Sequence, residues 1–376
     1  MKNIYDIIFI GGGLSTLMFL SQYTKNNSKQ KILVLEKNKK IRSDQTFCVW
    51  AGPNLFDIEK TYKLKPKKIW QSIKLINSKE SILQKIKPYQ YKAFDGNKTL
   101  QLLLAQCKNI TYKKNIIVDD IVYENLFLVR TKSGELFKST YLFDSRPPKN
   151  KAIYKYPEVL NQAFIGTEIS VARDQFDDTA ATLMNFQKSD DAIIFNYILP
   201  FSKKRALIET TFFTKKVDFN LITKVHKNFL HHYQDYKIIR KEKAILPMGV
   251  IKNDTNSQAI KIGISAGMIR PATGYSMQRI ANWLGKLDLK RITQSNKATY
   301  YFQGPILLDW LDSIFLKVCY NKPEIGPLLF ISLFKNANIF SIIRFLSDSS
   351  TTLDIIKIIL ALPKKIMVKG LFNYYE

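Results

Sequence analysis

The stretch RALIETTFF places one carboxylate in the middle of a segment that is otherwise typical of a β-strand. Side chains alternate between the two faces of a strand, so Glu209 is expected to share a face with Leu207, Thr211 and Phe213. An apolar setting on that face would desolvate the carboxyl group, raise its pKa and keep it protonated near neutral pH. Glu209 is therefore a candidate general acid. The alternative is a strand-edge carboxylate that points at solvent.

A run of three glycines, Gly11 to Gly13, lies between a predicted strand and a predicted helix. Glycine at this place lets the backbone approach a pyrophosphate, and the helix N-terminus supplies N–H donors. Glu36 closes the next predicted strand, where a carboxylate can accept hydrogen bonds from ribose hydroxyls. Thr16 stands at the third glycine of the usual fingerprint. The pattern indicates the adenosine end of FAD or NAD; the alternative is a glycine turn in an ordinary α/β fold.

A second candidate turn lies in ISAGMIRPATGYSMQ, residues 264–278, which combines a strand end, a Pro-X-Thr-Gly turn and a helix start. Such a turn aims backbone N–H groups at an anion or at an electron-rich ring edge. Alone it would be an ordinary loop. Together with the first turn it favours one long cofactor held across the fold, and FAD is longer and more enclosed than NAD.

The elements that must position these residues follow from the apolar periodicity. A strand over 4–10, a helix after the glycine turn and a buried strand in KILVLEK form a β-turn-α-β unit. Residues 160–215 are predicted to be mainly β-structure, a helix is predicted over about 218–234, and the chain becomes helical from about residue 291. We interpret the strand-rich middle as a substrate lobe inserted into a nucleotide-binding fold.

Composition excludes several classes of protein. The 376 residues are 46% hydrophobic and carry a formal charge of +27, dispersed along the chain. This charge favours either a solvated lysine-rich surface or contact with an anionic membrane, and no nucleic-acid-binding signature is found. Three cysteines and three histidines are too few and too widely spaced for disulfides or zinc, so we expect a reducing compartment and no metal. No apolar run is long enough to span a bilayer, and the apolar N-terminus lacks a signal-peptide cleavage site.

Several segments together resemble bacterial lycopene β-cyclases over most of residues 1–285. They are GGGLS with Glu36, DQTFCVW (44–50), FDSRP (143–147), QAFIGTEIS (162–170), NYILPFSKKRALIETTFF (196–213), ILPMG (245–249) and AGMIRPATGYSMQ (266–278). The resemblance implies an α/β (α+β mixed) fold, with a Rossmann-like FAD-binding domain of the glutathione-reductase type, a β-sheet substrate lobe and a helical C-terminal part. It also implies a non-redox cyclisation of lycopene to β-carotene that requires reduced FAD, with NADPH as the electron source.

By the same resemblance, roles are expected for particular residues. Gly11, Gly13, Leu14 and Glu36 would bind the adenine half of FAD. Asp144, Pro271, Thr273, Gly274 and Tyr275 would lie toward the pyrophosphate and the flavin ring. Glu209 matches the catalytic acid of the family, but its acidic neighbour in the family pattern is Thr210 here, and Glu168 is a weaker candidate for the base. Alternative activities on the same architecture are an FAD-dependent monooxygenase and an isoprenoid reductase.

The expected organisation divides the chain into discontinuous parts. Residues 1–60, 93–160 and 246–290 are assigned to FAD binding, 61–92 and 161–245 to the substrate lobe, and 291–376 to a helical region with candidate membrane contact. Lycopene resides in the bilayer, and the C-terminal apolar helices carry interspersed lysines. We therefore expect a cytoplasmic protein peripherally associated with the inner face of the membrane.

Overall fold

A computed structural model describes residues 3–26, 29–41, 44–148, 153–252, 258–289 and 300–372. In chain order the strands are β1 (Ile4–Ile10), β2 (Ile32–Glu36), β3 (Thr46–Ala51), β4 (Lys68–Trp70), β5 (Ser72–Ile76), β6 (Ser81–Lys85), β7 (Gln90–Asp95), β8 (Ile110–Lys114), β9 (Val118–Tyr123), β10 (Phe127–Thr131), β11 (Leu136–Asp144), β12 (Leu160–Val171), β13 (Ala181–Gln187), β14 (Ile193–Ser202), β15 (Arg205–Thr214), β16 (Tyr236–Met248) and β17 (Ile260–Lys261). The helices are α1 (Leu14–Asn26), α2 (Ile58–Tyr62), α3 (Gly96–Gln106), α4 (Phe219–Leu230), α5 (Met277–Lys286), α6 (Ile306–Asn321), α7 (Gly326–Asn336), α8 (Ile339–Leu346), α9 (Thr352–Ala361) and α10 (Lys364–Phe372).

The first sheet contains the predicted β-turn-α-β unit. Its strand order is β8-β2-β1-β11-β10-β9, and β17 pairs with the end of β11. β2 is buried along its whole length and pairs in parallel with β1, which is the pattern of a sheet covered on both faces. Because β1 also pairs in parallel with β11, Ile10 lies beside Asp144, and the glycine turn meets the chain that leaves β11. The expected strand-helix-strand start is confirmed.

The second sheet has the order β16-β12-β15-β14-β13-β5-β6. Its central strands are antiparallel and have two buried faces. Ala206, Ile208 and Phe212 of β15 pack on the side that is covered by α4, whereas Leu207 and Phe213 pack in a core shared with the C-terminal helices. Strand β15 therefore separates two environments, and its odd-numbered residues face the larger core.

A small third sheet, β3-β7-β4, shares residues such as Trp50, Trp70 and Tyr91 with the core of the second sheet. Residues 61–92, for which the sequence predicted no particular strands, thus supply strands to both sheets. β4 and β7 belong to the small sheet, and β5 and β6 extend the second sheet. This arrangement brings β3 next to the face of β15 that carries Glu209.

The C-terminal helices α6 to α10 cover the same face. Phe315, Phe330 and Phe334 pack with Phe213 and Leu183 in one continuous core. The helices are tied to the preceding loop by buried ion pairs, in which Arg270 binds Asp312 through two hydrogen bonds of 3.0 Å. The helical character predicted beyond residue 291 is confirmed for the described part from residue 300 onward; residues 290–299 and 373–376 lie outside it. Within the described ranges, no helix has both the length and the apolarity to cross a bilayer.

Candidate active site

A cavity of about 400 Å³ lies between the second sheet, the small sheet, the loop before α5 and the C-terminal helices. Its walls are largely apolar, and Glu209 is part of them. The lining residues from the sheets include Phe47, Cys48, Tyr91, Gln162, Phe164, Leu183, Phe195, Tyr197, Thr211, Phe213 and Leu246. Those from the loop and the helices include Ala272, Thr273, Gly274, Tyr275, Trp310, Phe315, Phe330, Phe334, Ile359, Leu362, Val368 and Leu371.

Glu209 is only 8% exposed and lies on the cavity side of β15, together with Thr211 and Phe213. Burial, followed by the neighbouring Glu242 carboxyl, raises the pKa of Glu209 well above its ordinary value. The raised pKa favours the protonated form of this carboxyl group, which is the form that can act as an acid.

The register of the sheet places four residues in one row across neighbouring strands. Glu209 of β15 is paired with Tyr197 of β14 on one side and with Gly166 of β12 on the other, and Gly166 is in turn paired with Glu242 of β16. A Cβ atom at residue 166 would lie 2.6 Å from Cγ of Glu242 and 2.9 Å from Cγ of Glu209. Glycine at this position is therefore what allows the two glutamate side chains to meet above the middle strand.

Glu242 is 3% exposed, and one of its oxygens is held by donors. Oε2 accepts hydrogen bonds from Nη1 of Arg240 at 2.5 Å and from the hydroxyl of Thr46 at 3.2 Å. The other oxygen, Oε1, is buried and has no donor in the structure. A proton on the Glu209 carboxyl, whose side chain meets that of Glu242 above Gly166, would give this oxygen a donor.

Glu168 lies on the same face of the sheet, one row further along β12, and it is completely buried. Its two oxygens accept hydrogen bonds from Lys67, from Arg205 at 2.6 Å and from Arg240 at 2.7 Å. Burial acts to raise the pKa of Glu168, but Lys67 and Arg240 outweigh it, so the pKa is lowered. Glu168 is ionised and fully engaged, and it is not among the residues that line the cavity.

Thr210 faces away from the cavity because it is the next residue along β15. Its hydroxyl donates to Oδ1 of Asn196 at 2.8 Å and lies 2.9 Å from Nδ1 of His226 on α4. Nε2 of His226 lies 2.8 Å from the hydroxyl of Thr167, so the ring fits as a neutral Nδ1–H tautomer assigned from this network. A carboxylate at position 210 would therefore not reach the cavity, and the partner of Glu209 comes instead from β16.

Three phenols and a thiol form a chain along the cavity wall. The hydroxyl of Tyr275 lies 2.9 Å from that of Tyr91, which lies 2.7 Å from that of Tyr197, and Tyr197 donates to Sγ of Cys48 at 3.1 Å. Burial raises the pKa of each phenol, so the hydroxyls stay neutral. The chain connects the loop before α5 to the row that contains Glu209.

The glycine turn has the geometry of a phosphate cradle. Gly11 adopts φ +89°, and Gly12 donates to Oε2 of Glu36 at 2.7 Å. A Cβ atom at Gly13 would meet nothing within 4 Å, so open space lies in front of the first turn of α1, which begins at Leu14. The hydroxyl of Thr16 donates to the carbonyl of Gly11 at 2.7 Å. This hydrogen bond closes the turn, and threonine is thereby accommodated at the third position of the glycine fingerprint.

Two further turns converge on this cradle. Ser145, which follows Asp144, packs against Gly11, and a Cβ atom at Gly263 would lie 2.8 Å from Oγ of Ser15. Asp144 itself is bound by Arg146 and by Lys261 at 2.8–2.9 Å. Burial acts to raise its pKa, and these cations lower it below its ordinary value. The carboxylate of Asp144 therefore fixes the turns around the cradle and has two cationic partners of its own.

The loop before α5 forms the far end of the cavity. Thr273, Gly274 and Tyr275 line the cavity, whereas Pro271 is buried behind them. Gly274 has φ +76°, and a Cβ atom there would lie 2.6 Å from Oε1 of Gln162. Gln162 precedes Gly166 by four residues, so this turn lies roughly 13 Å along the sheet from the row of Glu209.

Two buried polar atoms at that end have no hydrogen-bond partner within the described part of the chain. They are Oε1 of Gln162 and Oγ1 of Thr273. Buried polar atoms usually have a hydrogen-bond partner, so this end of the cavity fits a ligand that has a polar edge as well as an apolar body. An elongated cofactor reaching from the glycine turn would present such an edge here, which makes the residues present compatible with a flavin.

Comparison with known proteins gives the family. The profile of a family described as "Lycopene cyclase protein" matches residues 6–303. The chain belongs to the lycopene cyclase protein family. It is also similar to a lycopene beta-cyclase from Paracoccus sp. (strain N81106 / MBIC 01143), with 28% identity over 125 residues. That alignment spans 31% of this chain and 32% of the relative, about a third of the length of each.

Solved structures share the fold at low identity. The flavin-dependent brominase Bmp2 matches with a TM-score of 0.65 and 13% identity, over 99% of both chains. A flavoprotein/dehydrogenase from Cytophaga hutchinsonii matches with a TM-score of 0.64 and 12% identity, over 98% of this chain and 100% of the other. A geranylgeranyl bacteriochlorophyll reductase-like protein from Thermoplasma acidophilum matches with a TM-score of 0.59 and 11% identity, over 99% of both. The predicted mixed α/β fold is confirmed.

Sequence reasoning missed Glu242, Arg240 and Gly166. The segment before AILPM was not assigned to a strand, although RKEKAIL alternates in the structure, with positions 240, 242, 244 and 246 less exposed than 241, 243 and 245. This alternation is in burial; residues 240–243 are all charged, so the sequence itself has no alternating apolar pattern here that would predict a strand. Gly166 carried no signal of its own, because its role depends on what stands on either side of β12.

Proposed function

We propose that the protein catalyses the non-redox cyclisation of lycopene, or of a related linear carotene, to β-carotene by forming β-rings, with γ-carotene as the one-ring intermediate. The observation that carries the proposal is a buried carboxyl group with a raised pKa, Glu209, in the wall of a large apolar cavity. Membership of the lycopene cyclase protein family supports the substrate class.

A linear carotene has no polar group, so its cyclisation must begin with protonation of a terminal C=C bond. In the proposed reaction the O–H bond of Glu209 breaks and a C–H bond forms at the chain end, which leaves a tertiary carbocation. The next C=C bond supplies the electron pair that closes the six-membered ring. Loss of a ring proton to a carboxylate then restores a double bond, so atoms and electrons balance without an oxidant or a reductant.

The cavity favours the cationic stage. The rings of Tyr197, Tyr91 and Tyr275 line it, and aromatic faces attract a cation once water has been excluded. A reduced FAD, which we propose is maintained by NADPH, would supply a further electron-rich ring without being consumed. The residues that would hold its adenosine and pyrophosphate are Gly11, Gly13, Leu14 and Glu36, and the Thr273–Tyr275 turn would hold its ring.

We also propose that the substrate enters from an anionic bilayer, so the protein acts as a peripheral membrane protein on the cytoplasmic side. Trp310 on α6, Ile359 on α9 and Val368 on α10 line the cavity and are at the same time 41–53% exposed. Around them the same helices expose Leu353, Leu360 and Phe372, which are 58–68% exposed. Four exposed lysines, at 357, 364, 365 and 369, accompany this apolar surface. An apolar surface with basic side chains suits the interface of an anionic membrane.

The activity is tested by expressing the chain in a host that accumulates lycopene and analysing the pigments. We expect a ringed carotene with the wild type and unchanged lycopene with Glu209→Gln, while both proteins retain bound flavin. An oxygenated pigment would instead favour the monooxygenase alternative, and a pigment with fewer double bonds would favour the reductase. Unchanged lycopene with a folded, flavin-loaded wild type would refute the proposal.

Membrane contact is tested by flotation with vesicles that contain anionic lipid. We expect Ile356→Glu on α9 to reduce binding, because Ile356 lies within the exposed apolar surface and is 46% exposed. Leu221→Glu is the matched control, because Leu221 is 48% exposed but lies on α4, behind the second sheet. Equal loss of binding in both variants would show that this surface is not the one that docks.

A further inference from the structure

The side chain of Glu242 lies next to the Glu209 carboxyl, and the two groups differ in the hydrogen-bond donors that surround them. No hydrogen-bond donor reaches Glu209 from the described residues, whereas Glu242 receives donors from Arg240 and Thr46 on Oε2. The groups that face Glu209 are Glu242 and Arg240 from β16, Tyr197 from β14 and Cys48 from β3. The strand between the two glutamates contributes only Gly166, so nothing separates their side chains.

We propose that Glu209 and Glu242 share one proton, and that Glu242 is a positioning residue that keeps Glu209 protonated at rest and makes it the base that ends the reaction. This inference rests on the proposed cyclisation. Arg240 and Thr46 already donate to Glu242, whereas Glu209 has no such donors among the described residues, so we place the shared proton on Glu209, which faces the cavity. Glu242 acts through Glu209, because Glu242 does not line the cavity.

The Glu209–Glu242 pair accounts for both the first and the last proton transfer of the proposed reaction. When Glu209 has delivered its proton to the terminal C=C bond, two carboxylates face each other, and their repulsion makes Glu209 more basic. The charge of Glu242 also favours the carbocation while it exists. After ring closure the C–H bond next to the cation breaks, its electrons form the ring double bond, and the proton returns to Glu209. The starting state is then restored, with no additional base.

Arg240 binds both Glu168 and Glu242. Its Nε binds Glu168 and its Nη1 binds Glu242, so one guanidinium group connects two buried carboxylates in adjacent rows. Glu168 has two further cationic partners, Lys67 and Arg205, and so Arg240 remains available to Glu242. This difference separates the roles: Glu168 anchors Arg240, and Glu242 transmits the charge to Glu209.

The test compares Glu242→Gln, Glu242→Asp and Glu168→Gln with the wild type by two measurements. The first is the pH dependence of cyclisation, in which activity falls at high pH as Glu209 ionises. The second is an infrared titration of the neutral carboxyl band in the cofactor-free protein, assigned to Glu209 by its loss in Glu209→Gln. We expect Glu242→Gln to move both midpoints to lower pH by about one to three units, the effect of removing an adjacent charge. Glu242→Asp should shift them less, and so should Glu168→Gln, which removes an anchor of Arg240 but leaves Glu242 beside Glu209.

The outcomes separate this inference from the proposed function. If the wild type fails to cyclise lycopene, the proposed function fails, but the infrared titration still reports whether the two carboxyls share a proton. Unchanged midpoints in Glu242→Gln would overturn the inference while leaving the cyclisation intact. If Glu242→Gln does not fold, the wild type alone decides: a Glu209 carboxyl that titrates at the ordinary value for glutamic acid overturns the pairing.

Discussion

The row of residues across the second sheet predicts an unusual effect of Gly166→Ala. In a strand, alanine is ordinarily more stable than glycine by about 0.5–1 kcal/mol. Here the new methyl group would lie 2.6 Å from Cγ of Glu242 and 2.9 Å from Cγ of Glu209, closer than carbon atoms approach. Overpacking of a well-packed site costs about 1–3 kcal/mol, so we expect a net loss of roughly 0.5–2 kcal/mol in the free energy of unfolding. For 376 residues this corresponds to a fall in Tm of about 1–3 °C.

The substitution should also separate the two carboxyl groups, so cyclisation should fall far more than stability. Thermal unfolding of the cofactor-free protein measures the first effect, and pigment analysis measures the second. A double-mutant cycle with Glu242→Ala isolates the cause, because removing the side chain of Glu242 removes the shorter contact and should recover much of the cost of the methyl group. A Gly166→Ala protein that is more stable than the wild type, or an additive cycle, would refute the contact geometry.

Other consequences concern the cofactor cradle, the far face of β15 and pH. Gly13→Ala should lower the free energy of unfolding of the cofactor-free protein by at most about 1 kcal/mol, since no atom lies within 4 Å of the added Cβ. It should nevertheless weaken FAD binding at least tenfold in a flavin fluorescence titration. An unchanged affinity would mean that the pyrophosphate binds elsewhere. Thr210→Val should lower the free energy of unfolding by about 1–3 kcal/mol in chemical denaturation, because it removes the hydrogen-bond partner of Asn196 and His226. Cyclisation should be unchanged. A loss of activity in protein that is still folded would contradict the conclusion that Thr210 faces away from the cavity. Burial lowers the pKa of His226 to about 4, so the unfolded chain binds more protons than the folded one between about pH 6.5 and 4, and stability should fall by roughly 3 kcal/mol as the pH drops through that window. This slope should flatten in His226→Gln, and an unchanged slope would exclude His226 as its source.

The sequence predicted the fold and the face of the strand on which Glu209 lies because those features are local. The first 36 residues contain, in order, a predicted strand, a glycine turn, a helix, a second strand and an acidic residue. The structure has the same elements in the same order. The face of Glu209 follows from alternation along one strand, and Thr211 and Phe213 do line the cavity with it. Thr210, which stands where the family pattern has a second acidic residue, is the next residue along β15, and the same alternation explains why it faces α4.

The sequence by itself determined that a carboxyl group stands among apolar neighbours and that two glycine turns suit an elongated cofactor. Only the tertiary structure determined which side chains lie next to the Glu209 carboxyl. Glu209 and Glu242 come from different strands and share no local pattern, and they are brought together because each is in register with Gly166 between them. Glu168 shows the converse, since a buried glutamate on the same face is made unreactive by three cations from distant segments. The protonation state of a carboxyl group depends on the charges around it, and strand register, which long-range contacts determine, sets those charges.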